Sequence, residues 1–363
     1  MSFGVQGSGG EIPRAEMSIA TTSKQGESAH SEPGIELSEM VTSKDPNSLQ
    51  AADAEAKGRV EGNLTPLQKL APGLNLNQVA LGKEAKRSDG GASGVFFIER
   101  GDVSIVIKPP DNINTDALYC YVGTKALELL GVKVPKSVLV KGTREVAELQ
   151  RITERGVGAF VAMEKVHGTA FDVLGEEDEE RVRSKDGDYF HQLGRMVMFD
   201  HLLSDEPDRV KRNGANPQNL MLGENHIVAI DNGTDLLNEN AATGGLRAFK
   251  NEGFLDELFP KTMYLVSIPE EDRPIFREQF EKGLVEGIAI LLDRLTESDG
   301  KEAKVSEEKI RKFLHDAGVP EEHMARATRN LTERMNVVIE LSSDKRYYQK
   351  VKEAKASGCC TIL

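Results

Sequence analysis

The apolar residues of this chain change period part-way along it, and that change limits the folds open to it. Between Gly94 and Met163 they come in short runs dense in β-branched and aromatic side chains, whereas from Tyr189 to about Leu341 they recur at helical spacing. Residues 94–98 and 103–108 flank the turn residues Glu99-Arg-Gly-Asp102 and predict a hairpin. Leu118, Val122, Leu127 and Leu130 predict a helix over 115–130, stopped at Gly131. Residues 137–141, 147–152 and 158–163 read as three further strands. In the second part, Phe190, Leu193, Val197 and Leu202 form the stripe of a helix over 189–203, and Phe276, Phe280, Leu284, Ile288 and Leu292 repeat the pattern. The expected fold is α+β and two-lobed, with a β-rich N-lobe over about 61–163 and a mainly α C-lobe over about 168–342.

The flanking composition fits one folded domain between two appendages. Residues 1–60 are rich in Gly, Ser, Thr, Glu and Ala, with almost no aromatic side chain after Phe3. Such a segment cannot bury enough apolar surface to offset chain entropy, so it is expected to be disordered. The acidic run 175–180 is expected as a solvated loop or helix face. With 59 acidic against 46 basic residues, a formal charge of -13, the chain lacks the basic face that nucleic-acid backbones demand. Its three cysteines, Cys120, Cys359 and Cys360, build neither a disulfide framework nor a zinc cluster. No run approaches the roughly 18 apolar residues of a spanning helix, and the first residues lack an apolar signal-peptide core.

The residues with chemical content cluster around one loop and one hairpin. The polar loop 204–219 holds Asp208-Arg209; Asn219 opens a short hairpin, and Asp231-Asn-Gly233 closes it. Adjacent strand ends would bring an amide and a carboxylate together, a hard-oxygen pair suited to Mg²⁺, which takes few protein ligands and completes its shell with phosphate oxygens. Upstream, Ser88-Asp-Gly-Gly-Ala-Ser-Gly94 is a glycine-rich turn whose amides at Gly90, Gly91 and Gly94 can approach phosphates. Lys108 ends the next strand, where a cation would meet α- and β-phosphates. Phosphoryl transfer needs these parts and a carboxylate at the acceptor hydroxyl, the place expected of Asp208. Taken singly, the glycine turn reads as a loop, Asp208-Arg209 as a surface ion pair and Asp231-Asn-Gly233 as a β-turn. Their joint order and spacing predict an ATP- and Mg²⁺-dependent kinase. His167, His191, His201 and His226 are scattered and receive no chemical role.

Together these residues resemble the actin-fragmin kinase group, related in fold to phosphoinositide 3- and 4-kinases and so to the protein-kinase superfamily. The resemblance lies in Gly90 to Lys108, Leu-Leu-Gly-Val-Lys-Val-Pro135, Met163-Glu-Lys-Val-His-Gly168, Phe199-Asp-His-Leu-Leu-Ser-Asp205, Asp208-Arg209, Asn219 and Ile230-Asp-Asn-Gly233, and covers roughly 90–235. It implies a protein-kinase-like fold, with Lys108 as the phosphate-binding lysine, Asp208 as the catalytic carboxylate, and Asn219 and Asp231 as metal ligands. Met163, Glu164 and Val166 would form an adenine-facing hinge. Three departures stand out. Ten residues separate Asp208 from Asn219 where a kinase loop has four, which implies an insertion, although Asn213 has the ordinary spacing. The metal-binding triplet reads Asp-Asn-Gly, and the helix partner of Lys108 stays open between Asp116 and Glu128.

The sequence closes on Cys360-Thr-Ile-Leu363, which fits the C-a-a-X pattern for a prenyl group, and the adjacent Cys359 could take palmitate. In the tail 343–363, Lys345, Arg346, Lys350, Lys352 and Lys355 outnumber Asp344 and Glu353, supplying the second signal that one lipid chain requires. The expected partners are a prenyltransferase, a membrane reached through the lipidated tail, and either a protein Ser/Thr acceptor or a phosphoinositide, with no nucleic acid. The expected place is the cytosolic face of a membrane, that of a host cell if the chain is a bacterial effector. Segment 231–251 has several acidic and few basic residues, which favours a protein acceptor. A membrane-tethered pseudokinase or interaction module is the reading from another class.

Overall fold

The computed structural model describes residues 65–71, 85–87, 95–100, 103–109, 116–142, 144–153, 156–185, 187–205, 207, 209–211, 214–239, 241–263, 265–298 and 303–357. All of them fall in the unit spanning 59–363. The expected disordered segment, Gly90, Gly91, Gly94, Asp208, Asn213, Cys359 and Cys360 lie outside the described residues.

The N-lobe is built on five antiparallel strands: β1 (Ala85–Arg87), β2 (Phe96–Arg100), β3 (Val103–Lys108), β4 (Ser137–Lys141) and β5 (Ala159–Glu164), in the order β1-β2-β3-β5-β4. Strand alternation decides which face is the core. Phe96 pairs with Ile107 and Ile98 with Ile105, and these four side chains are buried on one face. They meet Leu67 of a short helix α1 (Pro66–Leu70), closed by a capping box at Thr65, together with Val140, Phe160 and Ala162.

One expected strand is a helix. Residues 147–152 belong to α3 (Arg144–Thr153), not to the sheet. Val146, Leu149 and Thr153 are buried at i, i+3 and i+7 while Glu148 and Arg151 form an ion pair near the surface, a one-sided pattern that only a 3.6-residue period satisfies. Gly142, at φ +61°, turns the chain out of β4 towards this helix.

The helix between β3 and β4, α2 (Asp116–Leu129), stops at Gly131 with φ +82°, close to its expected limits. It serves two cores. Ala117 and Cys120 pack on Val161 and Met163 of β5, while Val122, Ala126, Leu127 and Leu130 enter the core of the C-lobe.

The C-lobe comprises α4 (Glu176–Val182), α5 (Tyr189–Leu203), α6 (Gly244–Ala248), α7 (Phe254–Thr262), α8 (Arg273–Leu295), α9 (Glu307–Asp316), α10 (Glu321–Ser343) and α11 (Tyr348–Ala356). A three-stranded sheet joins β6 (Thr169–Ala170) to the hairpin β9 (Leu220–Leu222) and β10 (Ile227–Ala229). Two small ribbons interrupt stretches expected to be a loop and a run of helix: β7 (Val210–Lys211) with β8 (Gly214–Ala215), and β11 (Thr296–Ser298) with β12 (Ala303–Val305). Within the tail, α11 is held to the C-lobe core through Val351, with Tyr347 beside it. No described helix is long and apolar enough to cross a membrane.

The centre of the C-lobe is the contact between α5 and α8, where Phe190 and Phe276 lie with ring centroids 4.8 Å apart. Beside them Glu286 of α8 meets His191 at 2.7 Å and Arg195 at 3.2 Å. Burial raises the Glu286 carboxyl pKa, but hydrogen bonding and charge from His191 and Arg195 outweigh it and hold the group below its ordinary value. The close approach depends on glycine: a Cβ on Gly283 would sit inside van der Waals contact of the His191 carbonyl oxygen, and one on Gly194 against that of Phe280. Gly283→Ala should gain about 1 kcal/mol of helix propensity and lose about 1–3 kcal/mol or more to overpacking, a net destabilisation. Urea unfolding checks this against Gly156→Ala, where a Cβ meets open space; equal midpoints for the two variants would refute the close-contact account.

Candidate active site

The site begins where β3 runs out. Lys108 stands opposite Val161 of β5, and two residues earlier Val106 stands opposite Met163, so the lysine and the strand leading out of the sheet are neighbours by register. Met163 packs with Ala117, Cys120 and Val161. The Glu164 N–H donates to Lys136 O at 2.9 Å and its carboxylate pairs with Lys136 at 3.4 Å. The Lys165 N–H donates to Ser104 O at 3.1 Å. From Val166 the chain leaves the sheet, and among the described residues no backbone hydrogen bond uses its N–H or C=O. That leaves its donor and its acceptor without a backbone partner among the described residues. Gly168 then passes against the Leu222 carbonyl, where a Cβ would not fit, and leads into β6.

Across the cleft, a 3-10 turn (Pro217–Asn219), capped by the Asn216 side chain, delivers Asn219 to the start of β9. Asn219 is buried, and its carbonyl accepts from the Ile230 N–H at 3.1 Å. The hairpin thus places Asn219 and Asp231 at neighbouring strand ends, as the sequence predicts. Asp231 adopts φ +55°, alone among the described non-glycine residues in that region, and its carboxylate bonds the Lys108 ammonium over 123 positions of sequence. Lys108 is largely covered, with 16 % of its side chain exposed, while Asp231 is at 45 % and reachable from solvent. The question of Lys108's helix partner is answered in part: Glu128 pairs with Lys125 at 2.7 Å on the outer face of α2.

Behind this edge lies a polar network that sequence reasoning did not assign. Arg209 is buried, not a surface ion pair. Its Nε donates to Asp200 of α5 at 2.8 Å, one Nη meets the other Asp200 oxygen, and the second Nη donates to Ile230 O at 3.1 Å and to the Asn232 side-chain oxygen. The Asn232 amide donates in turn to Thr124 of α2 at 3.2 Å and to Ala229 O at 3.3 Å, and Gly123 lies against the Asn232 carbonyl. Asp200 left one trace in the sequence: it falls on the apolar stripe of α5, seven residues after Leu193. Cys120 lies in the same region; burial raises its thiol pKa, Lys108 lowers it and Asp231 raises it again, so the neutral thiol lines an apolar floor.

The residue types suit a hard divalent cation: Asp231 offers a half-exposed carboxylate, and Asn219, an amide residue, is held beside it through the backbone bond from Ile230. Among the described residues no group of three or more His, Cys, Asp or Glu side chains is arranged to hold a metal ion. An ion held here would complete its shell with phosphate oxygens and water.

The architecture is of the two-lobed protein-kinase-like class: a five-stranded antiparallel sheet with a helix after its third strand, a linker leaving the sheet beside that strand's lysine, and a helical lobe whose hairpin ends in the Asp231 triplet. No protein-family model and no curated protein matches the chain. Among solved structures it is similar to the Helicobacter pylori proinflammatory kinase CtkA, at 12 % identity over 77 % of this chain and 98 % of that one, with a TM-score of 0.37. It is also similar to the HipA, HipB and operator DNA complex of Shewanella oneidensis MR-1 (10 % identity, 84 % and 72 % covered, TM-score 0.32) and to a choline/ethanolamine kinase family protein from Mesorhizobium loti (12 %, 75 % and 92 %, TM-score 0.23). These likenesses are faint, and the chemistry of the site rests on its own geometry.

His201, in the last turn of α5, is buried with both ring nitrogens unpartnered among the described residues and its ring edge-on to Phe249. Burial lowers its pKa from 6.5 to about 4, with Asp205 acting against the shift and Arg334 with it. The unfolded chain therefore takes up a proton near pH 6.5 that the folded chain refuses until about pH 4. Stability is complete above pH 6.5 and falls as pH drops towards 4, by up to about 3 kcal/mol from this one group. Urea midpoints at pH 7.5 and 5 should converge in His201→Gln relative to the native chain; an unchanged pH slope would refute the assignment.

Proposed function

We propose that the chain transfers the γ-phosphoryl group of ATP to a hydroxyl acceptor, a serine or threonine of a protein, at the cytosolic face of a membrane. The observation that carries this reading is the Lys108–Asp231 contact across the cleft, beside the backbone bond that seats Asn219 next to Ile230. A cation on the sheet lobe facing a carboxylate and an amide on the helical lobe is what a nucleotide triphosphate needs at its bridging phosphates and its metal. In this reading Lys108 meets the α- and β-phosphates, together with the amides of Gly90, Gly91 and Gly94. Met163, Glu164 and Val166 border the adenine, and Asp208 takes the acceptor proton. Mg²⁺, held by Asp231 and Asn219, would neutralise charge on the phosphate oxygens.

A protein acceptor is favoured over an anionic lipid because segment 231–251 is not basic: Arg247 and Lys250 stand against Asp231, Asp235 and Glu239. Prenylation at Cys360, with Cys359 and the lysines of the tail as second signals, belongs to the same proposal.

The test is incubation with γ-³²P-ATP and Mg²⁺ in cytosol plus membranes. Label should appear on protein and fall by roughly 10²–10³-fold in Asp208→Ala and in Asp231→Ala, the scale of losing one preorganised electrostatic group. Label confined to extracted lipid would move the acceptor to a phosphoinositide. Label from α-³²P-ATP would make the transferred group AMP, and silence with both nucleotides would leave a tethered pseudokinase.

A further inference from the structure

Helix α10 carries a row of polar side chains, Arg326, Arg329, Asn330 and Arg334, at i, i+3, i+4 and i+8, and the row is spent on backbone carbonyls of the segment that follows Asp231. Arg326 donates to Leu237 O at 3.0 Å, Arg329 to Glu239 O at 3.2 Å, and Asn330 to Leu236 O and Asn238 O at 2.8 and 2.9 Å. Arg334 is fully buried. One Nη donates to Leu202 O at 2.9 Å, at the end of α5, and the other to Ala242 O at 2.9 Å while standing 2.5 Å from an Asp235 carboxylate oxygen. The other Asp235 oxygen accepts from the Asp205 N–H at 2.9 Å, and the Asp235 N–H donates back to Leu203 O at 3.1 Å.

Two stretches of chain meet on this pair. Leu202 and Asp205 precede Asp208 by a few residues, and Asp235 follows Asp231 by four. A buried ion pair is weak evidence of stability, because apolar side chains of equal volume often serve as well. Packed hydrocarbon, however, sets no direction, whereas a planar guanidinium with fixed donors sets both distance and angle for each acceptor.

We propose that Arg334, acting through Asp235 and the Leu202 carbonyl, is a positioning residue that fixes the end of α5, Leu202 to Asp205, against the segment that follows Asp231. The proposal rests on the phosphotransfer reading for its kinetic consequence and, for its structural one, on the Arg334–Asp235 ion pair together with the hydrogen bonds that each of the two makes to the chain around it. Arg334→Lys keeps the charge but lacks the fork; Asp235→Asn keeps an acceptor for the Asp205 N–H but loses the charge. Glu286→Gln, which weakens the separate ion cluster between α5 and α8, reports what destabilisation alone does.

The measurements, made below the melting temperature of each full-length variant, are hydrogen exchange over 201–209 and 231–243 and Mg-ATP turnover read as phosphate release without acceptor. Exchange should quicken in both segments together in Arg334→Lys and Asp235→Asn. Their kcat should fall at least tenfold, with KM for ATP held within threefold because the hinge is untouched. Glu286→Gln should leave both segments and kcat within twofold of the native chain. Folded Arg334→Lys and Asp235→Asn with kcat within twofold, or exchange quickened in one segment only, would overturn the proposal. If the native chain turns over no ATP, the phosphotransfer reading fails instead, and joint or separate exchange alone decides whether Arg334 couples the segments.

Discussion

The Arg209 guanidinium is the joint on which the site depends. A buried cation costs several kcal/mol in lost hydration unless its protons are met. Here both oxygens of Asp200, the Ile230 carbonyl and the Asn232 side chain meet them. Those acceptors come from the long helix, from the strand exit and from the triplet at the cleft edge, so one side chain registers three pieces of chain that sequence keeps apart. Lysine in its place would bring a single point of attachment, and the angle between helix and hairpin would no longer be set.

The lobes are held differently. α2 shares its apolar face between the small cluster on β5 and the large core of the C-lobe, and Gly123 and Thr124 bring it against Asn232. Burial of this kind contributes about 25 cal/mol per Å² of apolar surface removed from water. The Lys108–Asp231 pair, with Asp231 half exposed, contributes at most about 1 kcal/mol. The lobes therefore stay together through α2, and the fold does not depend on the pair.

How much of this was legible depended on whether the information was local. The helix Tyr189–Leu203 and the hairpin around Gly223 were readable to within a residue or two, because each has a full apolar stripe or a clear turn between β-branched runs. Residues 147–152 misled because Ala147, Leu149 and Ile152 offer apolar positions to either period, and Val146 and Thr153, just outside, decide the matter. The partner of Lys108 was expected on the following helix, and the contact the structure shows is with Asp231, whereas Asn219 and Asp231 could be paired from order and strand context. Asp200, Thr124 and Arg334 could not, since each acts through a partner that is fixed only once the helices have packed. Charged residues on an amphipathic helix look alike in sequence whether they end at the surface or inside.

The long interval between Asp208 and Asn219 shows how spacing in sequence and spacing in space come apart. Ten residues would carry an extended chain far beyond the reach of a four-residue loop. The structure spends the excess on a ribbon: Val210 pairs with Ala215 and Lys211 with Gly214, and the Asn216 N–H donates to Arg209 O at 2.8 Å. The chain at Asn216 has therefore returned to within one hydrogen bond of Arg209, as if the residues between were absent, and the 3-10 turn from Pro217 delivers Asn219 to its strand. Arg209, anchored to Asp200, fixes where the ribbon starts, and β9, bonded to β10, fixes where the turn ends. Both ends of the ribbon are thus held by contacts outside it, so Asp200 and β10, and not the length of chain between, set the positions of Arg209 and Asn219.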